Sequence, residues 1–257
     1  MKLLTLNTWG GKMHAPLMNF IGKMSSDVDI FCFQEVFSTT TDLEFGRSGE
    51  KMDLYQNISK ILTSHRGHLS PKSKGYDYGG YIGKDVDFGN AIFIRKDIPA
   101  LFHKELFDLI SDAGTDWREK AIAKAECITI EIGRKPLTIC NFHGMWIKGT
   151  HKKDTPERLN QSRHLRGALD EISGEKIICG DFNLLPEGES IKILERDMRN
   201  LIREYGITST RSSLYATSPV MYADYALTTP GVKVNEFKVL PDEVSDHLAL
   251  LLDFEIE

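Results

Sequence analysis

One run of residues, Lys176-Ile177-Ile178-Cys179-Gly180-Asp181-Phe182-Asn183-Leu184-Leu185-Pro186, constrains this chain more than any other. It is short, apolar and bounded by Gly and Pro, as a buried strand is. Asp181 and Asn183 stand two apart at its end, so an extended backbone aims both side chains the same way. A carboxylate beside an amide can orient a water and stabilise developing negative charge, although the same pair also makes turns and helix caps.

The pattern recurs along the chain. Lys2 to Leu6, Val28 to Phe33 and Ala91 to Arg95 read as strands. Leu17, Phe20, Ile21 and Met24 follow the first at helical spacing, and this strand, helix, strand order predicts an α/β sandwich. Ala121 to Ile132 and Pro136 to Phe142 form paired strands around a turn at Gly133-Arg134-Lys135. Thr155-Pro156 opens a helix with Thr as cap and Pro in the first turn. Ser190 to Tyr205 is mostly helical, and Tyr222 to Leu227, Lys233 to Leu240 and Leu248 to Ile256 close the chain as strands. The signal weakens from Phe37 to Asp87, where Glu50 to Leu62 suits a helix and Pro71 to Gly89, rich in Gly and Tyr, reads as loop. With no linker, repeat or low-complexity tract, one domain over residues 1–257 is expected.

A net charge of -5 argues against affinity built on global attraction to polyanions. It leaves room for a local basic groove, and Ile147 to Arg166 carries Lys148, Lys152, Lys153, Arg158, Arg163 and Arg166 against Asp154 and Glu157. Cys32, Cys127, Cys140 and Cys179 all lie in apolar runs without metal-binding spacing, so they read as reduced core residues. The N-terminus turns polar too early for a signal sequence, and no apolar run reaches membrane-spanning length. A cytoplasmic, monomeric protein is the expectation.

The polar residues sit where chemistry usually collects. Asn7, Glu35, His143, Asp181 with Asn183, and Asp246 with His247 stand at ends of apolar strands. Asp224 lies inside one and needs a partner, because an uncompensated buried charge costs on the order of several kcal/mol. A histidine is the natural candidate. Carboxylates and carboxamides with few thiols favour a hard cation such as Mg²⁺ or Mn²⁺ over zinc. Tyr76, Tyr78 and Tyr81 could stack on a base or headgroup, or belong to an ordinary loop.

Taken in order, Leu6-Asn7-Thr8-Trp9, Gln34-Glu35-Val36, Gly89-Asn90-Ala91-Ile92, Asn141-Phe142-His143, Gly180-Asp181-Phe182-Asn183 and Ser245-Asp246-His247 resemble the endonuclease/exonuclease/phosphatase (DNase I-like) superfamily. The resemblance runs from Leu3 to Phe254 and implies a four-layer α/β sandwich with two packed mixed β-sheets. It implies Glu35 as principal Mg²⁺ (or Mn²⁺) ligand, helped by Asn7 and Asp246. Asp181 would orient or activate the attacking water, Asn183 would stabilise the pentacovalent state, and Asp224 would orient His247. His143 and Arg118 would contact the phosphate. Whether Asp181 or His247 is the base stays open. The implied activity is a metal-dependent phosphoesterase, foremost a phosphodiesterase using in-line attack of water on a phosphate-ester substrate, with nucleic acid among the candidates. The alternatives are a phosphatase or sphingomyelinase-like hydrolase, and an inactive binding protein on the same fold. The tract at Asn7 lacks the Asn-Gly-Arg pattern of apurinic endonucleases, and Tyr222-Ala223-Asp224-Tyr225 replaces the commoner Arg-Ile-Asp-Tyr.

Overall fold

The computed structural model describes residues 1–110, 122–215 and 221–257. Side chains alternate along β1 (Lys2–Asn7), which α1 (His14–Met24) connects to β2 (Ile30–Thr39). Leu4, Leu6, Phe31 and Phe33 pack with Leu17, Phe20 and Ile21 of α1 and with Leu54 and Ile58 of α2 (Leu54–Ile61). Leu3, Ile30 and Cys32, one residue out of phase, join the main core instead. The sheet continues through β3 (His65–Lys74) and β6 (Val86–Arg95), and between them β4 (Tyr76–Asp77) and β5 (Gly80–Tyr81) form a separate two-stranded hairpin.

The second half of the chain builds the facing sheet. Its elements are β7 (Ala100–Ile110), β8 (Ile122–Ile132), β9 (Lys135–His143), α3 (Pro156–Asp170), β10 (Glu175–Asp181), α4 (Glu189–Glu195), β11 (Arg199–Asn200), α5 (Leu201–Glu204) and β12 (Asp224–Thr228). The chain then returns to the first sheet with β13 (Val232–Val239) and β14 (Leu250–Ile256). The strand orders are β13-β14-β1-β2-β6-β3 and β11-β12-β10-β9-β8-β7. Each sheet is mixed: β1 and β2 are parallel across α1, and β9 and β10 are parallel across α3. Such parallel pairs need a crossover, which a helix supplies. Leu3, Ile30, Ile92 and Ile94 meet Ala125, Cys127, Ile139 and Cys140 between the sheets. The expected α/β sandwich of two packed mixed sheets is what forms.

Three sequence expectations are corrected. The stretch from Pro71 to Gly89 is not a loop: β3 runs to Lys74, β6 starts at Val86, and the hairpin fills the gap. The polar run at His65–Lys74 conceals a strand whose register slips between Pro71 and Ser73, next to a residue that cannot donate to the ladder. The strand after Val28 does not end before Glu35 but continues to Thr39. Ser190 to Tyr205 is two helices split by β11, with the Asn200 side chain accepting from Ile202 N and Arg203 N to cap the second. All four cysteines are buried free thiols. Among the described residues no helix is long and apolar enough to cross a membrane.

Candidate active site

The site straddles the seam between the sheets at one set of strand ends. From the first sheet come Asn7, the last residue of β1, and Glu35 on β2. Glu35 does not mark a strand end. It sits in an irregularity between Phe33 and Val36, where φ is +59° and the β2–β6 register slips. That bulge turns the carboxylate out of the strand's ordinary alternation. Gln34 fixes the bulge from below by donating to Asn141 Oδ1 (2.7 Å) and Thr5 Oγ1 (3.1 Å), so it is pinned to both sheets.

From the second sheet come His143 at the end of β9, Asp181 at the end of β10, and Asp224, the first residue of β12 and directly opposite Asp181. Close backbone approach makes this possible. A Cβ on Gly144 would lie 2.1 Å from Phe182 O, and one on Gly180 2.1 Å from Phe142 O. Gly144 N donates to Asp181 O (2.7 Å), tying the two strand ends together. Asp246 and His247 precede β14, and Ser245 locks that turn by donating to Asn7 O (2.7 Å).

One chain of contacts crosses the seam. Asn7 Nδ2 donates to Asp181 Oδ2 at 3.0 Å. His247 Nε2 lies 3.6 Å from the same oxygen, and its Nδ1 is 2.9 Å from both oxygens of Asp224. Thr210 Oγ1 donates to Asp224 Oδ2 (2.8 Å). The partner that Asp224 requires is therefore His247. His143 Nε2 faces Glu35 Oε1 at 3.8 Å and Asp181 Oδ2 at 3.9 Å. Asn183, at φ +52°, donates to Gly144 O (3.2 Å) while its buried Oδ1 has no partner.

The two imidazoles are held in opposite tautomers. Lys72 Nζ lies 3.1 Å from His143 Nδ1, and an ammonium can only donate, so Nδ1 accepts and Nε2 carries the hydrogen. In His247 the Asp224 carboxylate takes the Nδ1 hydrogen, leaving the Nε2 lone pair toward Asp181. Burial, reinforced by Lys72 at His143 and by Arg211 at His247, pushes both rings well below the ordinary histidine range, so both are neutral. Burial raises Asp224 to about 6. It raises Asp246 to about 7, with Glu35 and Asp181 adding repulsion and Arg211 opposing it.

Arg211 escaped the sequence reading, and Tyr78 entered it only as a residue that could stack on a base or headgroup. Arg211 donates to Asp246 Oδ2 (3.1 Å), and Tyr78 donates a short hydrogen bond to Glu35 Oε2. Both lie in stretches of weak hydrophobic periodicity, where nothing distinguishes them from loop residues. The basic segment turns partly inward: Lys152 is buried with Nζ on Tyr222 O (2.7 Å), and Arg158 is fully buried on Thr150 Oγ1 and Lys153 O (2.7 Å each). Arg118 lies outside the described residues. Trp9, Glu35, Tyr78, Trp146, Asp181, Asn183, Arg211, Tyr215, Asp246 and His247 line an open cleft of about 360 Å³.

The donor set fits a hard divalent cation. Glu35, His143 and Asp181 offer donor atoms within 4.8 Å of one another. His143 Nε2 carries its hydrogen, which leaves carboxylate oxygens as the ligands. Asp246, raised by burial and then by its acidic neighbours, has Arg211 in opposition.

A family model described as the Endonuclease/Exonuclease/phosphatase family matches residues 4–247. No curated protein sequence matches the chain. Among solved structures, a mannosyl-6-phosphatase of Bacteroides thetaiotaomicron superposes with a TM-score of 0.72 at 14% identity, covering 100% of both chains. A family protein of Leptotrichia buccalis gives 0.68 at 19% identity with the same full coverage. The human Nocturnin catalytic domain with bound sulfate gives 0.69 at 17% identity, covering 100% of this chain and 93% of its own.

Proposed function

Because this chain belongs to the endonuclease/exonuclease/phosphatase family of phosphoester hydrolases, we propose that it is a divalent-metal-dependent phosphodiesterase that cleaves by in-line attack of water. The observation that carries this reading is the Asp224–His247–Asp181 row set beside the carboxylates of Glu35 and Asp246 in one cleft.

Mg²⁺ or Mn²⁺ would be held by Glu35 and Asp246, with Asn7 supporting through its bond to Asp181. Bound there, the cation would supply charge neutralisation at the phosphoryl oxygens. The protein's own groups do the rest. Asp181, fixed by Asn7 and by Asn183 N (3.0 Å), orients the attacking water. His247 takes its proton through the Nε2 lone pair as the water oxygen bonds to phosphorus, and Asp224 stabilises the imidazolium that results. The opposite ester P–O bond breaks, its oxygen taking a proton from solvent. His143 donates its Nε2 hydrogen to a phosphoryl oxygen, and the second amide hydrogen of Asn183 serves the same developing charge. The buried free thiols fit a reducing cytoplasm, and we take the protein to act as a one-domain monomer.

The small cleft favours a second reading, a phosphatase of a compact phosphate ester. A nuclease loses activity steeply with salt, whereas such a phosphatase does not. The primary test is hydrolysis of bis-p-nitrophenyl phosphate with Mg²⁺ or Mn²⁺. Asp181→Asn and His247→Ala should each lower kcat by about 10³-fold or more with unchanged melting temperature. Wild-type turnover in either variant would refute the assignment.

A further inference from the structure

The cleft divides into two chemically distinct parts. Glu35, Asp181, Asn183, Asp246 and His247 are absorbed by the proposed reaction. The remaining lining is aromatic apart from one guanidinium: Trp9, Tyr78, Trp146, Tyr215 and Arg211. Tyr78 is spoken for by Glu35. The other three aromatics have no part in the chemistry described so far.

Each has an unusual placement. Trp146 is 56% exposed, an uncommon setting for the largest apolar side chain, and follows directly on the Gly144–Met145 turn that carries His143. Trp9 has φ +51° and precedes Gly10 and Gly11 at +62° and +71°. A bulky residue in the left-handed region is a true outlier, and such strain gathers where a side chain is being presented for use. Its backbone N–H is held by Asn7 Oδ1 (3.0 Å), the same asparagine that touches Asp181, and Lys12 Nζ sits over one face of its ring, 4.8 Å from the centroid. Tyr215 lies flat beneath Arg211, with the guanidinium carbon 4.0 Å from the ring centroid. Arg211 is buried and its Nε has no hydrogen-bond partner.

We infer that this rim is a stacking site, with Trp9 and Trp146 as platforms that select a phosphoester carrying a nucleobase beside the reacting phosphate. The inference rests on the phosphoesterase reading for the position of that phosphate. A planar ring gains from aromatic faces irrespective of its edge pattern. A sugar ring can also lay its C–H face on an indole, but its hydroxyls would further demand carboxylates and amides, and every such group lining the cleft is committed to the reacting end. Arg211, stacked on Tyr215 with a spare N–H, can complete the site at the base or at a flanking phosphate.

Two esters with a common leaving group test this: thymidine 5′-(p-nitrophenyl phosphate) and methyl p-nitrophenyl phosphate, assayed with Mg²⁺ or Mn²⁺. Wild type should favour the thymidine ester at least about tenfold in kcat/KM, since one stacked base is worth about five- to 150-fold. Trp146→Ala and Trp9→Gly should collapse that preference, chiefly through KM, and Trp9→Gly should do so without loss of melting temperature because it relieves the backbone. Equal kcat/KM for the two esters, or variants that keep the preference, would overturn the inference. Quenching of tryptophan fluorescence by thymidine 5′-monophosphate supplies a readout independent of turnover, and it should weaken in Trp146→Ala. Quenching without hydrolysis of either ester would sink the phosphoesterase reading and leave the stacking site standing. Equal quenching by deoxyribose 5-phosphate would overturn the stacking site in favour of a sugar.

Discussion

Two clusters of charged groups lie partly inside this protein, and they are built on opposite principles. At the edge formed by β3, β7 and β8, Glu105 accepts from Lys124 Nζ (2.8 Å) and Ser70 Oγ (2.7 Å). Beside it Glu126 meets His103 Nε2 (3.4 Å) and Asn141 Nδ2 (3.3 Å). Every carboxylate oxygen there has a partner. Burial lifts Glu105, but the bonds from Lys124 and Ser70 outweigh it and leave it below the ordinary range. The bond to Glu126 raises His103. The cleft runs the other way: burial raises Asp224 and Asp246 and depresses His143 and His247. Burial raises Glu126 even so, and the difference lies in Glu105 and His103, whose partners favour their charged forms, where none of the four cleft groups is so favoured. Acids left short of countercharge in this way suit the cation of the proposed mechanism, which would supply the missing positive charge.

The contrast can be broken at three points, in falling order of effect. Saturating Mg²⁺ or Mn²⁺ should stabilise the wild type by about 2.7 kcal/mol at a hundredfold excess over Kd, roughly 5–10 °C in melting temperature. Glu35→Gln should lose most of that shift in a thermal melt, and a wild type indifferent to both metals would remove the cation from the account. Next, Asp246→Asn should stabilise the metal-free protein by on the order of 1 kcal/mol at pH 8, as read by urea melts. The folded carboxyl keeps its proton up to about 7, whereas the unfolded one releases it near 3.8. Stability therefore falls as pH rises across that window, and the amide abolishes the slope while still accepting from Arg211. The smallest effect has the opposite sign. His103→Gln should cost about 0.5–1 kcal/mol at pH 5.5 and almost nothing at pH 8.5. A histidine raised above 6.5 contributes below that value and loses its contribution as pH passes the folded pKa. Equal losses at both pH values would show that His103 acts by packing alone.

The apolar runs made the two sheets legible because buried strands write their period directly into sequence. They also placed Asn7, His143 and Asp181, since each stands where such a run stops, whereas Asp224, expected inside a strand from Tyr222 to Leu227, is the first residue of β12. Glu35 was found for a partly wrong reason: the apolar run does stop there, but the strand does not, and a bulge is invisible to periodicity. Pro71 to Gly89 misled because β3 and β6 carry Ser, Lys, Asp and Gly on partly exposed faces, which resembles a loop. Arg211 was illegible for the same cause, and Tyr78 was legible only as a candidate stacking residue, not as the partner of Glu35. Each is brought to the cleft by tertiary packing, Arg211 through an isolated bridge to His247, and neither sits in a patterned element.

The bond between Asn7 and Asp181 joins residues 174 positions apart, and Asp224, Asp246 and His247 follow later still. A chain leaving the ribosome thus carries Asn7 and Glu35 long before the residues that share the cleft with them. On the proposed mechanism an intermediate without the last strands would lack the Asp224–His247 pair and could hydrolyse nothing. Activity is in this sense a certificate of completed folding, issued at the seam where the two sheets meet.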